Sequence, residues 1–274
     1  MYKRIALFGL VLAITLSSCD QESEVAPQDE SVTSVEDFTS LGYLVDDTED
    51  LIDATMATRD PGGDCPEITF RNPRGTFPNV VTIDFGDSCV GPRGHVRSGK
   101  IVIEQSAPMN EAGAARTVTF ENFMIDDIQI TGYKVLTNTG SDDDGNVTFT
   151  RFAEVTLIFP GGATASWTAS HVKTQIAGGD TDDVLDDVFE ITGSAQGVNR
   201  VGTSFSVDIV LPLIKHRDCR WVSEGMVDMT VEGLNGARTR TLDFGYENGG
   251  CDNLAQVTFG NGATKVVHIH RRWW

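Results

Sequence analysis

The chain has 274 residues, of which 40 are acidic and 21 basic, so its formal net charge is −19 and its pI is near 4.5. This acidity argues against a nucleic-acid partner, because phosphate binding needs clustered lysine and arginine. The length suits one large β domain or two small ones. Glycine accounts for 28 residues, which is high for a soluble protein and favours a turn-rich β fold.

Residues 1–18 predict a signal peptide. Lys3 and Arg4 give a positive start, and a mostly apolar run of twelve residues follows from Ile5 to Leu16. As a helix this run spans about 18 Å, well short of the roughly 30 Å hydrocarbon core of a bilayer. We therefore expect a cleaved signal rather than a membrane-spanning anchor.

The signal ends in Leu16-Ser17-Ser18-Cys19, which resembles a bacterial lipobox. The resemblance implies that Cys19 receives diacylglycerol and palmitate, and that the mature protein is held to a membrane by its acyl chains. An ordinary secretory signal with an incidental cysteine is the alternative.

The acids Asp20, Glu22 and Glu24 are similar to the acidic run after the lipidated cysteine in surface lipoproteins of Bacteroidota. This similarity implies the outer membrane, with the cell surface favoured over the periplasmic face. The rest of the chain has the general look of the Gly- and Asp-rich β lipoproteins of that group.

Residues 19–64 predict an acidic tether, because they hold fourteen acidic residues and a single base, Arg59. Self-repulsion extends and solvates such a chain, so we expect a spacer between membrane and domain, with an acidic docking tail as the alternative. Within it, residues 35–58 predict one or two short helices. Thr48 followed by Glu49 and Asp50 is a plausible helix start.

Residues 65–274 predict an antiparallel β domain. Apolar and polar residues alternate with a period of two, and Asn-Gly or Gly-Gly steps separate the segments. No helix of ten residues is evident, so the crossovers that a parallel sheet needs are missing. The fold class is therefore all-β, an antiparallel meander that forms a sandwich or a curled, partly open barrel. The clearest alternating rows are Val155, Leu157 and Phe159; Val207, Ile209 and Leu211; and Val227, Met229 and Val231.

Four cysteines remain once Cys19 is set aside as the lipid acceptor. An even number outside the cytosol favours two disulfides, with three possible connectivities. Cys89 and Cys251 each follow an Asp-Phe-Gly strand end, and Cys65 and Cys219 each open the same unit, so we favour Cys65–Cys89 and Cys219–Cys251. Zinc is the competing interpretation, but the chain has no CxxC or CxH pair.

Two acidic loops are candidate Ca²⁺ sites, because Ca²⁺ prefers six to eight oxygen ligands on a flexible loop. Neither loop has the spaced D-x-D-x-D-G register, so solvated hairpin loops are the favoured alternative. The candidate ligands are Asp142, Asp144 and Asn146 in the first loop, and Asp180 and Asp182 in the second.

Three further features give weaker indications of function. Gly94 to Lys100 has phosphate-loop spacing but leads into a strand rather than a helix, so we reject it. His268 and His270 would share one strand face and could bind a metal with a third ligand, although solvent-facing histidines are the simpler interpretation. The four tryptophans could stack on sugar rings, but core packing is favoured for three of them.

No G-x-S-x-G elbow or recognisable histidine partner pattern indicates catalysis. The leading hypothesis is a lipid-anchored envelope protein that acts as a binding or structural module, with the membrane, a glycan or an envelope protein as partner. The alternatives are a carrier of lipid or another hydrophobic ligand, and a glycan-active enzyme with two carboxylates.

Overall fold

The computed structural model describes residues 30–57, 65–91, 94–181, 183–233, 236–246 and 249–269. These residues form one α-helix, α1 (Glu30–Ala57), fourteen β-strands and a short 3-10 turn at Val184–Asp186. The strands are β1 (Glu67–Phe70), β2 (Asn79–Asp84), β3 (Cys89–Val90), β4 (Val96–Gln105), β5 (Ala115–Ile125), β6 (Ile128–Ser141), β7 (Val147–Ile158), β8 (Thr164–Ala177), β9 (Val188–Val198), β10 (Ser204–His216), β11 (Glu224–Gly233), β12 (Gly236–Asp243), β13 (Leu254–Phe259) and β14 (Thr264–His268).

All fourteen strands belong to one antiparallel sheet. Each pairs with its neighbours in chain order, except that β2 pairs with β4 and the short β3 lies beside β4. The path begins at β1 and ends at β14, so the sheet is open. The predicted antiparallel meander in a curled, open form is confirmed.

Alternation along the strands places one row of side chains inside the curled sheet. In β8 this buried row runs Ala165, Trp167, Ala169, His171 and Lys173. The row thus changes from apolar to basic along one strand. The same change occurs in β7, where buried Arg151 precedes the apolar row, and in β10, where buried Lys215 follows Leu213.

Helix α1 lies inside the sheet. It is about 42 Å long at 1.5 Å per residue, and Val35, Leu41, Leu44 and Ile52 have no exposed surface. These residues share one apolar core with side chains from the strands. The expectation of an extended, solvated tether is therefore wrong for Glu30–Ala57.

The structure also corrects the expected break in this segment. A single helix runs through Thr48, whose hydroxyl donates to the carbonyl of Val45 at 2.8 Å instead of capping a new helix. At the far end, Arg74 donates to the carbonyls of Met56 at 2.6 Å and Thr55 at 3.4 Å, which satisfies acceptors left free at a helix C-terminus. Among the described residues, no helix combines the length and hydrophobicity that crossing a bilayer requires.

Both predicted disulfides, Cys65–Cys89 and Cys219–Cys251, are confirmed. The first joins the start of β1 to β3, and the second joins the β10–β11 loop to the β12–β13 loop.

The alternating pattern fails to predict the burial of one residue in β10. Leu211 is 53% exposed, because the pairing of β10 with β11 shifts register between Ile209 and Leu211 and turns the later side chain outward.

Candidate functional site

The C-terminal half of α1 meets a set of basic side chains from the inner face of the sheet. α1 carries eight acidic residues and no basic one. Glu49 accepts from Lys173 at 2.6 Å and lies 3.5 Å from Arg151, which also donates to Asp46 at 2.5 Å. The remaining pairs are Asp53 with Arg116 and Arg217, Asp50 with Lys215 and Arg217, and Asp47 with Arg97.

Burial and charge act in opposite directions on these groups. Burial alone raises the pKa of Glu49, but the charges of Lys173, Arg151 and Lys134 outweigh it and hold that pKa well below its usual range. Burial lowers the pKa of Lys134 to about 8, although this lysine donates to the Val45 carbonyl at 3.0 Å and the Thr48 hydroxyl at 2.9 Å. The acidic side chains of the helix thus pair with basic side chains inside the sheet, where a base without an acidic partner would be costly.

A second hydrogen-bonded chain fixes the middle of α1. Asp126 accepts from the Val96 amide at 3.0 Å and from His95 Nδ1, and His95 Nε2 lies 2.6 Å from the Tyr43 hydroxyl. The Tyr43 ring also stacks on Trp221, with ring centroids 4.6 Å apart. Because His95 precedes β4 and Trp221 lies in the β10–β11 loop, Tyr43 links distant parts of the open sheet through the helix.

A pocket lies between α1 and the inner face of β7–β10, next to Tyr43. Its cavity volume is about 60 Å³, and the cavity opens to solvent. Most of the lining is apolar or aromatic, which is typical of sites for small organic ligands. The apolar lining comprises Phe38, Tyr43, Trp167, Ile191, Ala195, Val207, Ile209, Leu213, Trp221, Val222, Phe244 and Ile269.

The pocket has a buried end and a half-buried mouth. Arg151, His171 and Trp167 are buried and form the first. Ile209, Trp221 and Val222 are half-buried and form the second together with half-buried Arg220, whose guanidinium carbon lies 5.9 Å from the centre of the Trp221 ring. Within the described part of the chain, the Trp167 indole N–H has no hydrogen-bond partner. A ligand would therefore meet polar groups at both ends, from Arg151 and His171 at the buried end and from Arg220 at the mouth.

Gly42 gives the pocket its space on the helix side. Apart from its chain neighbours and the nearby helix backbone, no atom of the described residues lies within 4 Å of where a β-carbon would be, although Gly42 lies in the middle of α1. Glycine costs a helix interior about 1 kcal/mol relative to alanine. The missing side chain thus leaves open a volume that a larger residue would fill.

The predicted calcium ligands are not brought together. Asp142 accepts from the backbone amides of Asp144 at 3.0 Å and Asn146 at 2.8 Å, so its carboxylate closes its own hairpin. Asp180 is exposed, and Asp182 lies outside the described residues. Across the described ranges, no group of three or more His, Cys, Asp and Glu residues is placed to bind a metal ion.

The remaining candidates are spread over the molecule. His268 is exposed, with Nδ1 3.4 Å from Asn253 Oδ1. Trp167 is 3% exposed and packs in the core as predicted, while Trp221 lines the pocket. Cys19, His270, Trp273 and Trp274 lie outside the described residues.

Sequence reasoning did not find Tyr43, His95, Asp126, Arg151 or His171. A signal was available for Arg151 and His171, since they occupy inward positions in the alternating rows of β7 and β8. The pairing of helix acids with these rows has no signature in the linear sequence.

Comparisons with protein-family models, with curated proteins and with solved structures found no match for this chain.

Proposed function

We propose that this protein is a non-catalytic binding module of the cell envelope, anchored through lipid on Cys19, which takes a small, mainly apolar ligand into the pocket beside α1. The pocket is the observation that carries the proposal. It combines a mainly apolar lining, the buried polar groups of Arg151 and His171, and a gap at Gly42.

The pocket favours this function over the glycan-active enzyme. Glycoside hydrolysis needs two carboxylates about 5–10 Å apart across the substrate. Among the described residues that line the pocket, the one carboxylate is Asp46, and Arg151 holds it at 2.5 Å. The alternative of a carrier for lipid or another hydrophobic ligand agrees with the apolar lining better than a glycan-active enzyme does.

The location is part of the same proposal. The resemblance of residues 16–19 to a lipobox supports attachment to the outer membrane, and the acids after Cys19 support the cell surface. A membrane-attached module with an internal apolar pocket suits a ligand that partitions between water and lipid.

The test is ligand binding to the mature chain carrying Cys19→Ser, so that no lipid or detergent competes. Ethylbenzene, acetophenone and indole serve as small apolar probes, and unfolding is followed by circular dichroism. A ligand at a hundred times its Kd adds about 2.7 kcal/mol, which raises the Tm by roughly 5–10 °C.

Gly42→Leu fills the open side of the pocket and should abolish that rise without loss of the fold. Ala54→Leu is the matched control, because Ala54 is an exposed residue of the same helix. A rise that survives Gly42→Leu would place the ligand elsewhere, and no rise with any probe would leave a structural module.

A further inference from the structure

His171 presents an unused hydrogen-bond donor to the pocket. It lies on β8 at the buried end, and Arg151 Nη2 is 3.0 Å from its Nδ1. A guanidinium group only donates, so Nδ1 must be the acceptor. In a neutral imidazole the proton is then on Nε2.

The imidazole is neutral over the physiological range. Burial, followed by the charge of Arg151, lowers the pKa of His171 to about 3. Within the described part of the chain, Arg151 is the only hydrogen-bond partner of this ring. The Nε2–H group is therefore an uncharged donor with no acceptor among the described residues, which leaves it available to a ligand in the pocket.

The charge of Arg151 is already balanced. Asp46 lies 2.5 Å and Glu49 3.5 Å from its Nη1. Among the described residues at this end, Arg151 is the only cation, so an anionic ligand there would lose its hydration without gaining a free positive charge. The geometry is suited to an acceptor that carries no charge.

On the basis of the proposed function, we infer that His171 is the polar anchor of the pocket and that its ligand carries an uncharged carbonyl oxygen, as in a ketone, aldehyde or ester. The oxygen accepts from His171 Nε2–H at the buried end. The apolar body extends toward Ile209, Trp221 and Val222 at the mouth.

The test compares three probes of nearly equal size. Acetophenone has the carbonyl oxygen, ethylbenzene lacks it, and benzoate replaces it with a charge. Titration calorimetry on the mature Cys19→Ser chain should give acetophenone a Kd about three- to tenfold lower than ethylbenzene, the range expected for one hydrogen bond. Benzoate should bind more weakly than both.

Two substitutions test the role of the ring. His171→Phe keeps the shape and removes the donor, so it should bring the Kd of acetophenone up to that of ethylbenzene. His171→Gln can accept from Arg151 with its carbonyl and still donate with its amide, so it should retain part of the preference.

A spectroscopic measurement keeps the inference testable if either variant fails to fold. In protein labelled with ¹⁵N-histidine, the His171 Nε2 resonance should shift with acetophenone and not with ethylbenzene. Equal affinity for both probes would overturn the assignment of His171 and leave the apolar pocket intact. Tighter binding of benzoate would also overturn it. Binding of none of the three would instead refute the proposed function.

Discussion

Removing the charge of Glu49 tests whether α1 lies inside the sheet. At an effective dielectric constant near 20, its attraction to Lys173 at 2.6 Å and to Arg151 at 3.5 Å amounts to about 6 and 5 kcal/mol before desolvation. Desolvation offsets most of this gross attraction. In Glu49→Gln, Lys173 stays buried without its acidic partner while Arg151 keeps Asp46, and the buried unpaired charge costs about 3–5 kcal/mol. For a domain of this size the Tm should fall by roughly 6–20 °C.

Two comparisons isolate the buried charge. Asp84→Asn removes a surface ion pair to Lys100, whose side chain is 45% exposed, and should cost less than about 1 kcal/mol. Replacing both Glu49 and Lys173 with methionine should recover much of the loss, since an apolar pair of similar volume can substitute for a buried ion pair. If Glu49→Gln melts no lower than Asp84→Asn in a calorimetric scan, the helix acids are solvated and this account of the interior fails.

The other predictions concern pH, the pocket glycine and the disulfides. Burial, opposed by Arg200, raises the pKa of Asp37 to about 6, so the folded state keeps a proton that the unfolded chain releases above about pH 4. The wild type should therefore lose about 3 kcal/mol relative to Asp37→Asn between about pH 4 and pH 7, measured by urea unfolding, and parallel pH curves would contradict this. Glu49 has the opposite sign: its advantage over Glu49→Gln should be full above about pH 4.3 and shrink at lower pH. Gly42→Ala should raise the free energy of unfolding by about 0.5–1 kcal/mol, and a destabilised variant would mean that the space beside it is occupied. Replacing Cys219 and Cys251 with serine should cost about 3–4 kcal/mol in the same urea assay, and an unchanged midpoint would refute a stabilising bond.

The sheet could be predicted because its signal is local. Rows such as Val227, Met229 and Val231 alternate in sequence and are buried in the structure. The cysteines could be paired because both bonds close short segments next to recognisable strand ends. The exposure of Leu211 could not be predicted, because a register shift depends on the partner strand and is not visible in the sequence of one strand.

The place of α1 could not be predicted from charge content alone. Fourteen acids in residues 19–64 are typical of a solvated segment, and the bases that offset them come from strands far along the chain. Asp46 and Arg151 are 105 residues apart, and Glu49 and Lys173 are 124 apart. A clue lay in basic residues such as Lys173, which occupies an inward position of β8 where an apolar residue is expected. The pocket could not be predicted for the same reason, since Gly42 and His171 come together only when the open sheet curls around the helix.

The location of a bound probe tests the central claim most directly. We would record intermolecular nuclear Overhauser effects between acetophenone and the isotope-labelled mature chain. Contacts from the probe to the α-protons of Gly42 and to the side chains of Ile209 and Val222 would establish that the space between helix and sheet binds ligand. Contacts confined to the outer face of the sheet, with none to Gly42, would contradict the claim.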